Sequence, residues 1–310
     1  MASDDENNIY GYEPSIAAGV IFILLFGATT AYHGWQVFRA RAFYFIPFFI
    51  GGICMPFLYL NLLSPYKAQP TNPPVQIIGY LMRCLSNGNT DSIPLYALQT
   101  VLILLAPALY AASIYMVLGR LIVFLGAEHH SIVRINWMTK IFVAGDVVSF
   151  LMQCGAGGLM SGDDPDTRTL GENLTIVALI IQVIFFTFFL ITSIIFHKRI
   201  NTSPTARSRE TSLHWTLSAR TLLAKNWITL LIALYTVSAL ILIRSVFRLV
   251  EFIDGYGGFL MTHEAFIYIF DTLPMFVVMV VMNLWHPCFV IRDGKAGYIP
   301  RGDFEDVPLR

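Results

Sequence analysis

The chain has 310 residues, 56% of them hydrophobic and only 13% charged, and its mean hydropathy is +0.64. Soluble domains carry about 25% charged residues, so a soluble globular fold is excluded. Twenty basic residues cancel twenty acidic ones, leaving no net field that would recruit a nucleic acid.

Apolar runs of about 20 residues or more recur along the chain, long enough for helices to cross a ~30 Å hydrocarbon core. Period-two alternation is absent, which argues against a membrane barrel. The pattern predicts an all-α polytopic membrane protein, a bundle of seven transmembrane helices occupying residues 15–291 as one domain. The spans fall near 15–37, 43–62, 94–125, 138–160, 173–196, 226–253 and 264–291. Trp35, Trp227 and Trp285 stand near span ends, where aromatic side chains anchor at the interface.

Loop charge sets the expected orientation. One side carries fifteen Lys and Arg, among them Arg39, Arg41, Arg120, Lys198, Arg207 and Arg292, and the other only Lys67, Arg83 and Arg168. The basic side is read as cytoplasmic. The tail 1–14 then lies outside, while the loop 197–225 and the tail 292–310 lie inside. The acidic start of the chain (Asp4, Asp5, Glu6) has no basic region before the first span, so that span is expected to act as its own insertion signal. The sequon Asn173-Leu-Thr falls outside but abuts the membrane, a poor place for glycosylation.

Residues 55–75 read badly. They hold prolines at 56, 65, 70, 73 and 74, which break a helix, and removing them would join Phe43–Cys54 to Gln76–Ser86 as one span of ordinary length. This stretch is a suspected insertion or retained intron, which sequencing of the spliced transcript decides.

Polar residues inside the spans carry the functional reading. Arg244, Arg248 and Glu251 are spaced four and three apart, and Glu264, Tyr268 and Asp271 repeat that spacing on the next helix, so each set shares a helix face. Asp146, Ser149 and Gln153 share a face of the fourth span, and Gln99 lies in the third. Ionisable groups at membrane depth cost several kcal/mol unless they meet a partner or a wet cavity. Asp146, Gln153, Arg244, Arg248, Glu251, Glu264, Tyr268, Asp271 and Gln99 are therefore the candidate substrate-binding residues. The structural alternative is that the charges are buried ion pairs that fix helix register. The four cysteines lack metal-ligand spacing, and no phosphate loop or Ser–His–Asp arrangement is evident, so no enzyme activity, metal or cofactor is expected.

Four segments carry a resemblance: QTVLILLAPALYAASIYMVLGRLI (99–122), FVAGDVVSFLMQCGAGG (142–158), RSVFRLVEF (244–252) and HEAFIYIFDTLPM (263–275). Together they resemble the fungal RTA-like proteins of the lipid-translocating exporter family, over about residues 10–291. The resemblance implies seven spans with the N-terminus outside. It also implies movement or tolerance of amphiphiles at the plasma membrane: sphingoid long-chain bases, amino-sterols or, in one branch, porphyrin or haem. Its departure lies in span two, where Gln76 stands near a glutamate of the family pattern. The partners implied are a membrane lipid or amphiphile and the bilayer. A seven-span sensor that alters lipid handling indirectly is the alternative.

Overall fold

The computed structural model describes residues 16–63, 93–160, 164–209, 227–255, 266 and 268–291. Every regular element among them is helical. Helix α1 spans Ile16–Ala40, α2 Ile46–Leu63, α3 Ile93–Phe124, α4 Ile135–Met160, α5 Pro165–Thr202 and α6 Trp227–Asp254. A π turn over Tyr268–Thr272 leads into α7, Leu273–Leu284, and a short α8, Cys288–Ile291, follows. Five of these helices are long and apolar enough to cross a membrane, and two shorter apolar helices, Phe43–Met55 and Tyr268–Leu284, stand where the second and seventh spans are expected.

Each helix from α1 to α7 packs on the next, and α7 packs back on α1 to close the ring. Helix α3 also crosses to α6. It is the central helix, with 67% of its apolar window buried against 28% for α5. Its core face carries Tyr110, Ile114, Tyr115, Leu118 and Leu121, all fully buried. Outward residues such as Leu24, Leu151 and Ile184 are exposed and apolar, as a lipid-facing surface requires.

Small residues let the helices approach, since apolar side chains gain nothing by leaving lipid for one another. A Cβ on Gly51 would stand 2.9 Å from the Tyr110 ring, and one on Gly171 would stand 2.8 Å from the Ala156 carbonyl oxygen. These positions bring α2 onto α3 and α5 onto α4.

The helix ends follow local chemistry. Asp164 caps α5, its carboxylate accepting from the Asp166 amide at 3.4 Å, with Pro165 in the first turn; these are favoured start residues. Helix α5 has 38 residues, or about 57 Å at 1.5 Å per residue, so it outruns the expected 173–196 span at both ends. It takes in Asn173, and Thr175 of the sequon turns inward to donate to the Gly171 carbonyl at 3.0 Å. Helix α3 ends in a left-handed Gly126 (φ +60°), with the Ala127 amide donating to Ile122 at 3.1 Å, a Schellman closure. Segment 203–209 folds over this end: Thr205 Oγ1 donates to the Leu125 carbonyl at 2.8 Å and Arg207 to that of Phe124 at 3.1 Å.

Helix α2 runs on through residues 55–63 of the suspected insertion. Residues 64–92 hold its remainder and lie outside the described residues.

Candidate functional site

Helix α6 is mostly apolar, yet Arg244, Ser245 and Glu251 are buried on the side that meets its neighbours. Arg244 pairs with Asp271, Glu251 with Arg248, and Ser245 donates to the Ile241 carbonyl of its own helix at 2.9 Å. The expected regular helix over Glu264, Tyr268 and Asp271 is corrected in part: residues 268–272 form a π turn. Pro274 follows directly and has no amide to donate to the 270 carbonyl, so the ladder is interrupted there in any case. A wider turn inserted in an α-helix re-aims the side chains it carries, and such turns concentrate at functional sites.

The re-aimed Asp271 stands between two guanidiniums. Its Oδ1 lies 2.5 Å from Arg244 Nε and its Oδ2 accepts from Arg248 Nη2 at 2.6 Å. Arg248 Nη1 donates in turn to Glu251 Oε2 at 3.0 Å. The result is a chain, Arg244–Asp271–Arg248–Glu251, with two charges of each sign and no net charge. Glu251 and Arg244 are each 3% exposed and Asp271 6%. Tyr268 lies in the same π turn and stacks on Phe22 of α1, centroids 5.4 Å apart and planes 6° apart.

The remaining candidates fall elsewhere. Asp146 is buried at the meeting of α4 with α3, where Tyr115 faces it. Neither of its oxygens accepts a well-formed hydrogen bond, whereas Asp271 is paired with Arg244 and Arg248. Gln153 donates to Gln182 Oε1 of α5 at 3.1 Å, an uncharged tie between two helices. Ser149 donates to the Gly145 carbonyl of its own helix at 3.0 Å. Gln99 lies on α3, but its side chain is outside the described residues, and so is all of Glu264.

One polar group is absent from the sequence-based candidates. His33 Nδ1 lies 2.7 Å from Asn283 Oδ1, Asn283 Nδ2 donates to the Thr29 carbonyl at 3.1 Å, and Gln36 Nε2 donates to the Asn283 carbonyl at 3.0 Å. This knot ties α7 to α1. The signal was available in the three-residue spacing of His33 and Gln36 inside an apolar run. Among the described residues, no group of three or more His, Cys, Asp or Glu could hold a metal ion.

The family described as RTA1 like protein matches residues 74–294. Protein RTM1 of Saccharomyces cerevisiae is 36% identical over 298 residues, covering 90% of this chain and 92% of that protein. Protoporphyrin uptake protein 1 of the same species is 34% identical, covering 89% and 91%. The sphingoid long-chain base transporter RSB1, also from that yeast, is 26% identical, covering 96% and 78%. No solved structure matches the chain.

Proposed function

The chain belongs to the RTA1-like family, and on that premise we propose that it moves amphiphilic, lipid-like compounds across a membrane. The observation that carries this reading is the Arg244–Asp271–Arg248–Glu251 chain. Four ionisable side chains inside a bundle of membrane-length helices are costly, and register can be fixed with fewer. They offer an incoming head group carboxylates for an ammonium and guanidiniums for an acid, through exchange of partners within the chain. The substrates proposed are sphingoid long-chain bases or amino-sterols, with tolerance of toxic amphiphiles as the cellular outcome. The basic loops support a cytoplasmic C-terminus, an outer N-terminus and a plasma-membrane site.

A second substrate reading has its own support. The relative named for protoporphyrin uptake is more similar to this chain than the sphingoid base transporter, 34% against 26% identical. A porphyrin's propionates would engage Arg244 and Arg248.

The test is the purified full chain in liposomes, offered a labelled sphingoid base and a labelled porphyrin in separate runs. Movement faster than in protein-free liposomes, lost in Arg248→Met, supports transport, and the preferred label names the substrate class. Binding of either label without movement would replace the transport reading with that of a sensor.

A further inference from the structure

We propose that Asp146 is a proton-binding coupling site, so that an amphiphile crossing the bundle exchanges against a proton. This rests on the transport reading and adds its energy source.

Asp146 is 3% exposed and Tyr115 0%. Neither carboxylate oxygen receives a hydrogen bond of good geometry, and the one donor within reach is the Tyr115 hydroxyl that faces the carboxylate. The Tyr115 ring sits among Phe142, Phe186 and Phe189, with centroids 5.4, 6.1 and 4.5 Å away. The contrast with Asp271, held between two arginines, is complete. Other polar side chains on the same face of α4 are already engaged, Ser149 with its own helix and Gln153 with Gln182. Tyr115 from α3 is the titratable group that acts on Asp146, and α5 presents phenylalanines and the Gln182 amide to α4.

A ligand must also fit. Helices α4 and α5 meet tightly beside the carboxylate, since a Cβ on Gly145 would stand 2.5 Å from the Phe185 ring. A proton needs no room. A carboxylate sealed in such surroundings with one neutral hydroxyl and no cation acting on it carries most of the cost of an unpaired buried charge. The neutral acid avoids that cost and gains an O–H that can donate to the Tyr115 oxygen. Once the α3–α4 contact opens to water, the carboxylate is hydrated and the proton leaves. Proton occupancy then differs between the closed and open bundle, which is the condition for coupling. The step is −COO⁻ plus H⁺ giving −COOH, with no bond made to the lipid.

The experiment uses the full chain in liposomes, a fluorescent amphiphile with a quaternary ammonium head, whose charge does not titrate, and valinomycin with equal potassium to clamp the voltage. For one proton per lipid, a gradient of one pH unit should shift the steady-state distribution about tenfold. The ratio should fall to about one in Asp146→Asn and return in Asp146→Glu. Infrared spectra taken across pH should show a protonated-carboxyl band that Asp146→Asn lacks. If Asp146→Asn does not fold, Tyr115→Phe keeps the ring and must shift that band. A wild-type distribution indifferent to the gradient, a gradient response kept in Asp146→Asn, or a band unmoved by Tyr115→Phe overturns the proposal. Lipid that moves but ignores the gradient removes coupling and leaves transport standing, whereas the cationic lipid and a labelled porphyrin both moving no faster than without protein removes both.

Discussion

The ion chain of α6 and α7 makes a quantitative prediction because its charges balance. Arg248→Met removes the group that links Asp271 to Glu251, leaving Glu251, 3% exposed, without the cation it holds at 3.0 Å. Breaking a buried pair from one side costs about 3–5 kcal/mol. At about 2 °C per kcal/mol for a chain of this size, Arg248→Met and Glu251→Leu should each lower the melting temperature in detergent by about 6–10 °C. The double change Arg248→Met with Glu251→Leu removes one charge of each sign and keeps the Arg244–Asp271 contact at 2.5 Å. It should recover most of the loss and melt within about 4 °C of the wild type, because apolar replacement of a whole buried pair is close to neutral. Thermal unfolding followed by size-exclusion fluorescence reads all four proteins on one scale. Single variants as stable as the wild type, or a double variant that loses the sum of the two singles, would show that these charges are solvated and independent, and the site reading would fall with them.

Asn283→Ala breaks the link to His33 and the bond to the Thr29 carbonyl, so it should cost about 1–3 kcal/mol at interhelical hydrogen-bond strengths, read by the same melting assay. Gly171→Leu drives a side chain onto the Ala156 carbonyl and the Met160 amide; overpacking of about 1–3 kcal/mol should appear as a lower melting temperature, while Leu170→Ala on the exposed neighbouring position changes little. Arg41 holds the left-handed position after α1 at φ +51°, which costs a side chain about 1–2 kcal/mol that glycine escapes, so Arg41→Gly should raise the melting temperature. Thr205→Val removes the bond to the Leu125 carbonyl, and the loss of about 1 kcal/mol should speed tryptic cleavage after Arg207 about fivefold.

Hydrophobic run length was enough to place the helices, because a membrane imposes one length on every crossing. The predicted 94–125 and 226–253 meet Ile93–Phe124 and Trp227–Asp254 almost end to end. Length failed where the helix has reasons to continue past the apolar run. Helix α5 gains a capping aspartate and a proline at one end and Arg199 at the other, none of which a hydropathy window weighs. The convergence of Arg244, Arg248 and Glu251 on one face followed from four-and-three spacing, but that rule assumes 3.6 residues per turn. The π turn at Asp271 departs from that assumption, and Pro274 was the sequence's only hint of it.

Separation of Asp146 from the arginines was not legible, because spacing along one helix says nothing about which neighbour its face meets. The helix that settles it is α3. It packs on α6, which carries Arg244, and it sets Tyr115 against Asp146 of α4; its buried Tyr110 and Tyr115 are five residues apart, or about 7.5 Å along the axis and about 140° around it. The two proposed sites therefore share one central helix, α3. On the proposed coupling, a rotation or slide of α3 is the mechanical path by which a proton bound at Asp146 would reach the ion chain. Crosslinking α3 to α4 through cysteines should therefore abolish the effect of pH on transport while leaving the Arg244–Asp271 contact intact; transport that keeps its pH response when α3 cannot move against α4 would refute that path.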